Sequence, residues 1–193
     1  MTSNQKILYP VIMKVPDSEQ LPRGKEQVRL LSRLARQAAR TSIKKSGLSL
    51  PEFRKSDDGA PMPIDGIYWS VSHKTRYVAG VVTTEPVGID VEHVRPVKSG
   101  LMAYIANEKE WHQIGGKAIR AFFRFWTAKE AVLKAMGVGF TGLSNCRIVR
   151  VIDDHSLITR YGEKQFIVHQ TWFTTDHIAA ITGNERSIHW DLI

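Results

Sequence analysis

Two tracts of helical periodicity, each trailed by short β-branched runs, constrain the fold of this chain more than any other feature of its 193 residues. The first spans about Lys25 to Lys45. There Val28, Leu31, Leu34, Ala35, Ala38 and Ala39 recur at three- and four-residue spacing without a proline, and Gly47 supplies a stop. The second runs from Phe122 to Met136 and stops at Gly137, with Gly139 just beyond. Strand candidates follow the first tract at Ile67 to Val71, Tyr77 to Thr83 and Val87 to Val91, and follow the second at Cys146 to Ile152, Gln165 to Phe173 and His177 to Thr182. Pro51 to Pro63, rich in Pro, Gly and Asp, reads as a loop. A helix-then-strands order given twice, without a strict repeat, predicts an α+β fold of two lobes, residues 1–86 and 87–193, meeting near Pro86.

Charge is distributed less evenly than the elements. Between Arg23 and Lys55 stand ten basic residues and two acidic ones, so the formal charge of +8 resides in that segment and the remainder is balanced. On a helical wheel Arg29, Arg33, Arg36, Arg40 and Lys44 form a stripe opposite the apolar face. Such a stripe is either a solvated helix face or a docking surface for an acidic macromolecule. A single cysteine, Cys146, excludes an intramolecular disulfide and a thiolate zinc cluster and suits a reducing compartment. The apolar run from Ile7 to Val15 is broken by Pro10 and Lys14, and no later stretch approaches the roughly 18 apolar residues of a membrane span. A soluble, cytoplasmic protein is the expectation.

The segment Gly88-Ile89-Asp90-Val91-Glu92 alternates, so as a strand it turns Asp90 and Glu92 to one face and Ile89 and Val91 to the other. Neighbouring carboxylates repel unless a cation or proton compensates them, and a hard divalent ion such as Mg²⁺ does so where oxygen ligands converge. The plainer alternative is a water-facing polar edge. Glu130, four residues before Lys134 on the second helix, is a candidate third ligand, or else half of a surface ion pair. The aromatics Phe122, Phe123, Phe125 and Trp126 beside it favour a packed helix, on which charges need partners. Trp69-Ser70-Val71-Ser72-His73-Lys74 bunches donors able to hold a phosphate, or simply turns at the surface. Neither GxxxxGK[ST] nor GxGxxG occurs, which leaves an NTPase or a dinucleotide-binding Rossmann unit unsupported.

In order along the chain, Gly59 and Pro61, Trp69 to His73, Val87 to Glu92 (VGIDVE) and Phe125 to Ala135 (FWTAKEAVLKA) resemble the motifs of the 4′-phosphopantetheinyl transferase superfamily. The resemblance covers about Gly59 to Gly139. It implies two similar α/β lobes related by a pseudo-twofold, with the active site at their interface. It further implies transfer of the 4′-phosphopantetheine arm of coenzyme A, the co-substrate, to a serine of an acyl or peptidyl carrier protein. By this resemblance Asp90, Glu92 and Glu130 hold Mg²⁺, or Mn²⁺ in its place, and Glu130 also deprotonates the serine. Ser72 and His73 bind the 3′-phosphate, while Lys134 and Lys129 are coenzyme ligands. Ala60 stands where the family commonly has a basic residue, so Arg29 or Lys25 on the basic helix is expected to supply that phosphate contact.

The resemblance also gives the basic stripe a partner, an acidic carrier protein. Two other readings compete. A basic nucleic-acid-binding protein would leave the clustered carboxylates incidental, and they repel a phosphate backbone unless metal is bound. A coenzyme A- or carrier-binding protein of transferase type but without turnover would keep the site and lose the reaction. A chain already holding both lobes is expected to act as a monomer, with no membrane partner.

Overall fold

The structure, a computed structural model, describes residues 7–16, 22–184 and 186–193. Its elements are β1 (Ile7–Leu8), β2 (Val11–Lys14), α1 (Lys25–Ser46), β3 (Tyr68–His73), β4 (Tyr77–Thr83), β5 (Ile89–His93), α2 (Ser99–Ile105), α3 (Glu108–His112) and α4 (Ile119–Met136), then a 3₁₀ turn at Phe140–Asn145. The chain continues through β6 (Cys146–Val151), β7 (Ser156–Tyr161), β8 (Lys164–Trp172), β9 (His177–Thr182), β10 (Ser187–Ile188) and β11 (Asp191–Leu192). This is an α+β fold with two principal sheets. One has the order β11-β2-β4-β3 and the other β5-β9-β8-β7-β6, while β1 and β10 form a small parallel pair. The five-stranded sheet is antiparallel throughout, whereas β11 runs parallel to β2, with Asp191 opposite Val11.

Each long helix covers one sheet, and each comes closest at a glycine. α1 buries Leu31 together with Ala35, Ala38 and Ala39, and the small side chains of the alanines let its backbone reach β4. A Cβ on Gly80 would lie 2.4 Å from the Ala39 amide nitrogen. α4 packs against β5 and β9, and a Cβ on Gly88 would lie 1.8 Å from the Ala131 carbonyl oxygen. Both helices end on left-handed glycines, Gly47 and Gly137, at φ 66°, a conformation that residues with a Cβ rarely adopt.

The two sheets meet where β3 lies beside β5. No backbone ladder joins them there; serine side chains do. The Ser70 hydroxyl accepts from the Ile89 amide at 3.1 Å, and Ser72 accepts from the Val91 amide at 3.1 Å. Apolar side chains of both sheets close the space behind this join, among them Ile12, Ala79 and Val81 against Ile89, Val91 and Ile181. Ile89 and Val91 thus face the core, and Asp90 and Glu92 face the opposite side.

Several elements depart from the sequence reading. β3 continues through Ser72 to His73, because His73 pairs with Val78 across the hairpin, so residues expected to turn are extended. β7 lies between the turn residues Asp153-Asp154 and Gly162 without having been expected there. α3 begins with a capping box: the Glu110 amide donates to Asn107 Oδ1 at 3.0 Å, and the Asn107 amide donates to Glu110 Oε2 at 2.9 Å. Among the described residues no helix is long and apolar enough to cross a membrane.

Candidate active site

A cleft of about 730 Å³ opens at the join of the two sheets. Ser70 to Lys74 form one wall, Asp90 and Glu92 the floor, and Trp126, Glu130 and Lys134 of α4 the opposite wall. Ser32 and Arg36 of α1, Lys55 and Gly59 to Pro61 of the loop, and Gly137 to Phe140 complete the rim. The alternation of β5 aims both its carboxylates into this space. The i, i+4 spacing on α4 places Glu130 and Lys134 on the same side of that helix.

The floor is acidic and poorly compensated. Asp90 and Glu92 are each 4% exposed, so neither carboxylate is solvated as a surface group would be. Asp90 Oδ1 accepts from Ser72 Oγ and from Lys134 Nζ, both at 2.8 Å. Glu92 Oε1 accepts from the Trp126 indole at 3.0 Å and pairs with Lys74 Nζ at 2.8 Å. The other oxygens, Asp90 Oδ2 and Glu92 Oε2, have no hydrogen-bond partner, and neither does Glu130 Oε1, although all three are buried. The Arg95 guanidinium lies 3.5 Å from Glu92 Oε2.

Burial, and then the nearby Asp90 charge, raise the carboxyls of Glu92 and Glu130 above their ordinary range, Glu130 to about 7. A buried carboxylate oxygen without a hydrogen bond is costly, so three of them in one cleft, only one with an arginine nearby, require an explanation. A divalent cation with oxygen ligands fits this donor set, because it supplies the missing partner to all three.

The other half of the cleft is cationic. Lys55, Lys74 and Lys134 surround His73, and together with desolvation, the larger effect, they lower its imidazole below the usual value. His73 is therefore neutral at neutral pH, with an N–H to donate. Acid and base stand side by side in one pocket, which suits a polyphosphate bridged to a metal ion.

Six of the expected site residues come together here: Ser72, His73, Asp90, Glu92, Glu130 and Lys134. Ser72 lies in the cleft wall, but its hydroxyl is already engaged with Asp90 and the Val91 amide. Lys134 bonds Asp90 and the Ile89 carbonyl, so it is not the partner in a surface pair with Glu130.

Lys129 lies elsewhere. Its ammonium is buried, donates to the Ile105 carbonyl at 2.5 Å and pairs with Glu110 Oε1 at 3.1 Å, behind α4. Five positions from Lys134 is about 140° around a helix, which already puts the two lysines on different faces. Arg29 is exposed and forms no part of the cleft wall, while Arg36 and Lys55 stand on the rim with Ala60. The basic stripe is therefore not uniform, since Arg36 is half-buried at the cleft and Arg40 lies over the Phe53 ring at 5.6 Å. Lys74, the last of the donor-rich run, also lines the cleft. Trp126, Arg36 and Lys55 are site residues that sequence reasoning missed, because they reach the cleft only through tertiary packing.

The chain matches known proteins over the same region. The family model of the 4′-phosphopantetheinyl transferase superfamily matches residues 86–183, just over half the chain. The 4′-phosphopantetheinyl transferase gsp of Aneurinibacillus migulanus is 32% identical over 91 residues, 45% of this chain and 38% of that protein. The 4′-phosphopantetheinyl transferase psf-1 of Bacillus pumilus is 29% identical over 100 residues, 48% and 43% of the two chains. A Haemophilus influenzae relative extends the match to 156 residues at 28% identity, 75% of this chain and 64% of its own. The matched stretches thus span between about a third and two thirds of these relatives' lengths. With β5, α4 and the sheet behind them all inside the matched region, the chain belongs to the 4′-phosphopantetheinyl transferase superfamily.

Proposed function

We propose that this chain transfers the 4′-phosphopantetheine arm of coenzyme A to a serine hydroxyl of an acidic acyl or peptidyl carrier protein. The observation that carries the reading is the set of three buried carboxylate oxygens without a hydrogen bond, one each on Asp90, Glu92 and Glu130, facing the lysines of the same cleft. In the reaction the serine oxygen forms a bond to the phosphorus bearing pantetheine. The bridging P–O bond breaks, and adenosine 3′,5′-bisphosphate leaves. Asp90, Glu92 and Glu130 are the residues that would hold Mg²⁺, or Mn²⁺, whose role is to neutralise pyrophosphate charge.

The protein's own groups supply the remainder. Glu130, whose carboxylate lines the cleft beside Asp90 and Glu92, is the group placed to accept the serine proton. Lys134 and Lys74, paired with Asp90 and Glu92, are the cleft cations that would meet the phosphate oxygens. Neutral His73 donates to the 3′-phosphate. Arg36 and Lys55 supply the cationic contact that Ala60 lacks, and Ser72 orients Asp90.

The test is mass spectrometry of apo carrier proteins incubated with the protein, coenzyme A and Mg²⁺. A phosphopantetheine adduct on the carrier and release of adenosine 3′,5′-bisphosphate are expected, with Asp90→Asn and Glu130→Gln each slowing turnover by about 100-fold or more. Coenzyme A binding without an adduct on any carrier would leave a binding protein instead of a transferase. Near wild-type turnover in either variant would remove the roles assigned to these carboxylates.

A further inference from the structure

We propose that His93, Asp176 and His177 form a binding site for a transition-metal ion of the Zn²⁺ class, separate from the cleft. One ligand-type atom from each of these residues lies within 4.8 Å of the other two, the one such set of three among the described residues. His93 Nε2 is 3.1 Å from Asp176 Oδ2, and His177 Nδ1 is 2.7 Å from Asp176 Oδ1. Ligand atoms held at 2.0–2.1 Å around a tetrahedral zinc ion are about 3.3 Å apart, so the three groups need little movement to become ligands.

The backbone fixes this arrangement. His93, the last residue of β5, stands opposite His177, the first of β9, and the Val94 amide donates to the Asp176 carbonyl at 2.7 Å. The two imidazoles are stacked at 4.8 Å with 30° between their planes, and Tyr77 packs edge-on against His177 at 4.7 Å. Thr174 Oγ1 donates to Asp176 Oδ1 at 2.9 Å, the type of outer contact that orients a ligating carboxylate. The His177 side chain is 2% exposed, whereas those of His93 and Asp176 are 45% and 44% exposed, which leaves a path for an ion and room for a water ligand.

Chemistry separates this site from the cleft. Two imidazoles and one carboxylate suit Zn²⁺, Co²⁺ or Ni²⁺, whereas a site of carboxylate oxygens suits Mg²⁺. Alternation along β5 also turns His93 away from Glu92, so the two sites lie on opposite faces of one strand. A metal bound here would fasten the end of β5 to the start of β9, next to the residues that form the cleft floor.

The experiment is a titration of the metal-free protein with Co²⁺ in excess Mg²⁺, which keeps the carboxylate cleft occupied, followed by visible absorption. One equivalent of Co²⁺ with d–d bands of a low-coordinate nitrogen-oxygen site is expected, displaced by Zn²⁺ but not by more Mg²⁺. His93→Ala, an exposed substitution that leaves the buried His177 in place, is expected to weaken binding by about tenfold or more. Zn²⁺ should raise the Tm of the wild type and not that of this variant, while Asp90→Asn binds Co²⁺ as the wild type does. The proposal is overturned if no such bands form, if His93→Ala binds Co²⁺ unchanged, or if Asp90→Asn is the substitution that abolishes binding. The assay uses neither coenzyme A nor carrier, so its outcome is independent of the transfer reaction.

Discussion

α1 and α4 are docked alike, each lying on a sheet at a glycine, yet they carry charge in different ways. α1 buries alanines and leaves Arg29, Arg33, Arg40 and Lys44 exposed, so water solvates most of its charge. α4 buries Arg124 and Lys129 against particular atoms of neighbouring elements and keeps Glu130 half-buried at the cleft. Arg124 donates to Gln170 Oε1 at 3.0 Å, and Lys129 meets Glu110. An exposed charge is held by nothing specific and is free to meet another molecule, whereas a buried charge dictates what must surround it. Charge on α1 is therefore available to a solvent-borne partner, whereas charge on α4 is tied to the packing around it.

The harshest test of the comparison is at the glycines. Gly88→Ala would put a methyl carbon 1.8 Å from a backbone oxygen of α4, so the variant is expected not to fold to a soluble protein. Gly80→Ala, whose nearest atom is at 2.4 Å, should fold with reduced stability. Soluble yield, followed by urea denaturation of each variant that folds, ranks them, and two soluble variants of equal stability would mean that the two helices tolerate the same separation. Next in size is Lys129→Met. It takes the buried ammonium from Glu110, which keeps only the Ile148 and Asn107 amides and the more distant Arg147, and is expected to cost about 3 kcal/mol, whereas Arg33→Met on α1 should stay within about 0.5 kcal/mol. Similar losses in thermal melts would erase the distinction between the helices.

A smaller effect of opposite sign is expected at Glu130. Its carboxyl keeps a proton up to about 7 in the folded protein but releases it near the ordinary 4.5 when unfolded. The native state then holds more protons between those values, so stability present below pH 4.5 is lost as pH rises towards 7. Glu130→Gln has no such loss and should be more stable than the wild type above pH 7, by up to ~3 kcal/mol, with the gap closing below pH 4.5 and on adding Mg²⁺. A gap that does not change with pH would place the cause elsewhere. The smallest shift in stability belongs to Arg33→Glu with Lys44→Glu, within about 0.5 kcal/mol. The same pair should raise the KM for an acidic carrier at low salt and lose that effect over a Debye length of about 8–10 Å as salt rises. An unchanged KM at low salt would make the α1 face merely solvated.

The long helices, most of the longer strands and the carboxylate trio were legible because periodicity and alternation act within a few residues. Asp90, Glu92 and Glu130 follow from position on a strand and on a helix, and the structure adds that one oxygen of each lacks a partner. Lys129 was misread as a cleft residue because the motif was followed and not the wheel. The capping box at Asn107 and Glu110 was present in the sequence too, and it marks α3. Arg36 and Lys55 were not legible as rim residues, since only the packing of α1 and its loop against β3 brings them to the cleft. The two-residue strands β1, β10 and β11 are too short to show any period at all.

The pairing of β11 with β2 bears on the order of events during synthesis. Residues 11 and 191 lie side by side, so this contact cannot form until nearly all of the chain between them has left the ribosome. β2 and β4 can associate much earlier, leaving the outer edge of β2, with its buried-type residues Val11 and Ile12, open for the rest of translation. An open apolar edge is a template for pairing with other chains. A product released before residue 191 would thus show its defect first as aggregation, with the cleft formed by β3, β5 and α4 already in place.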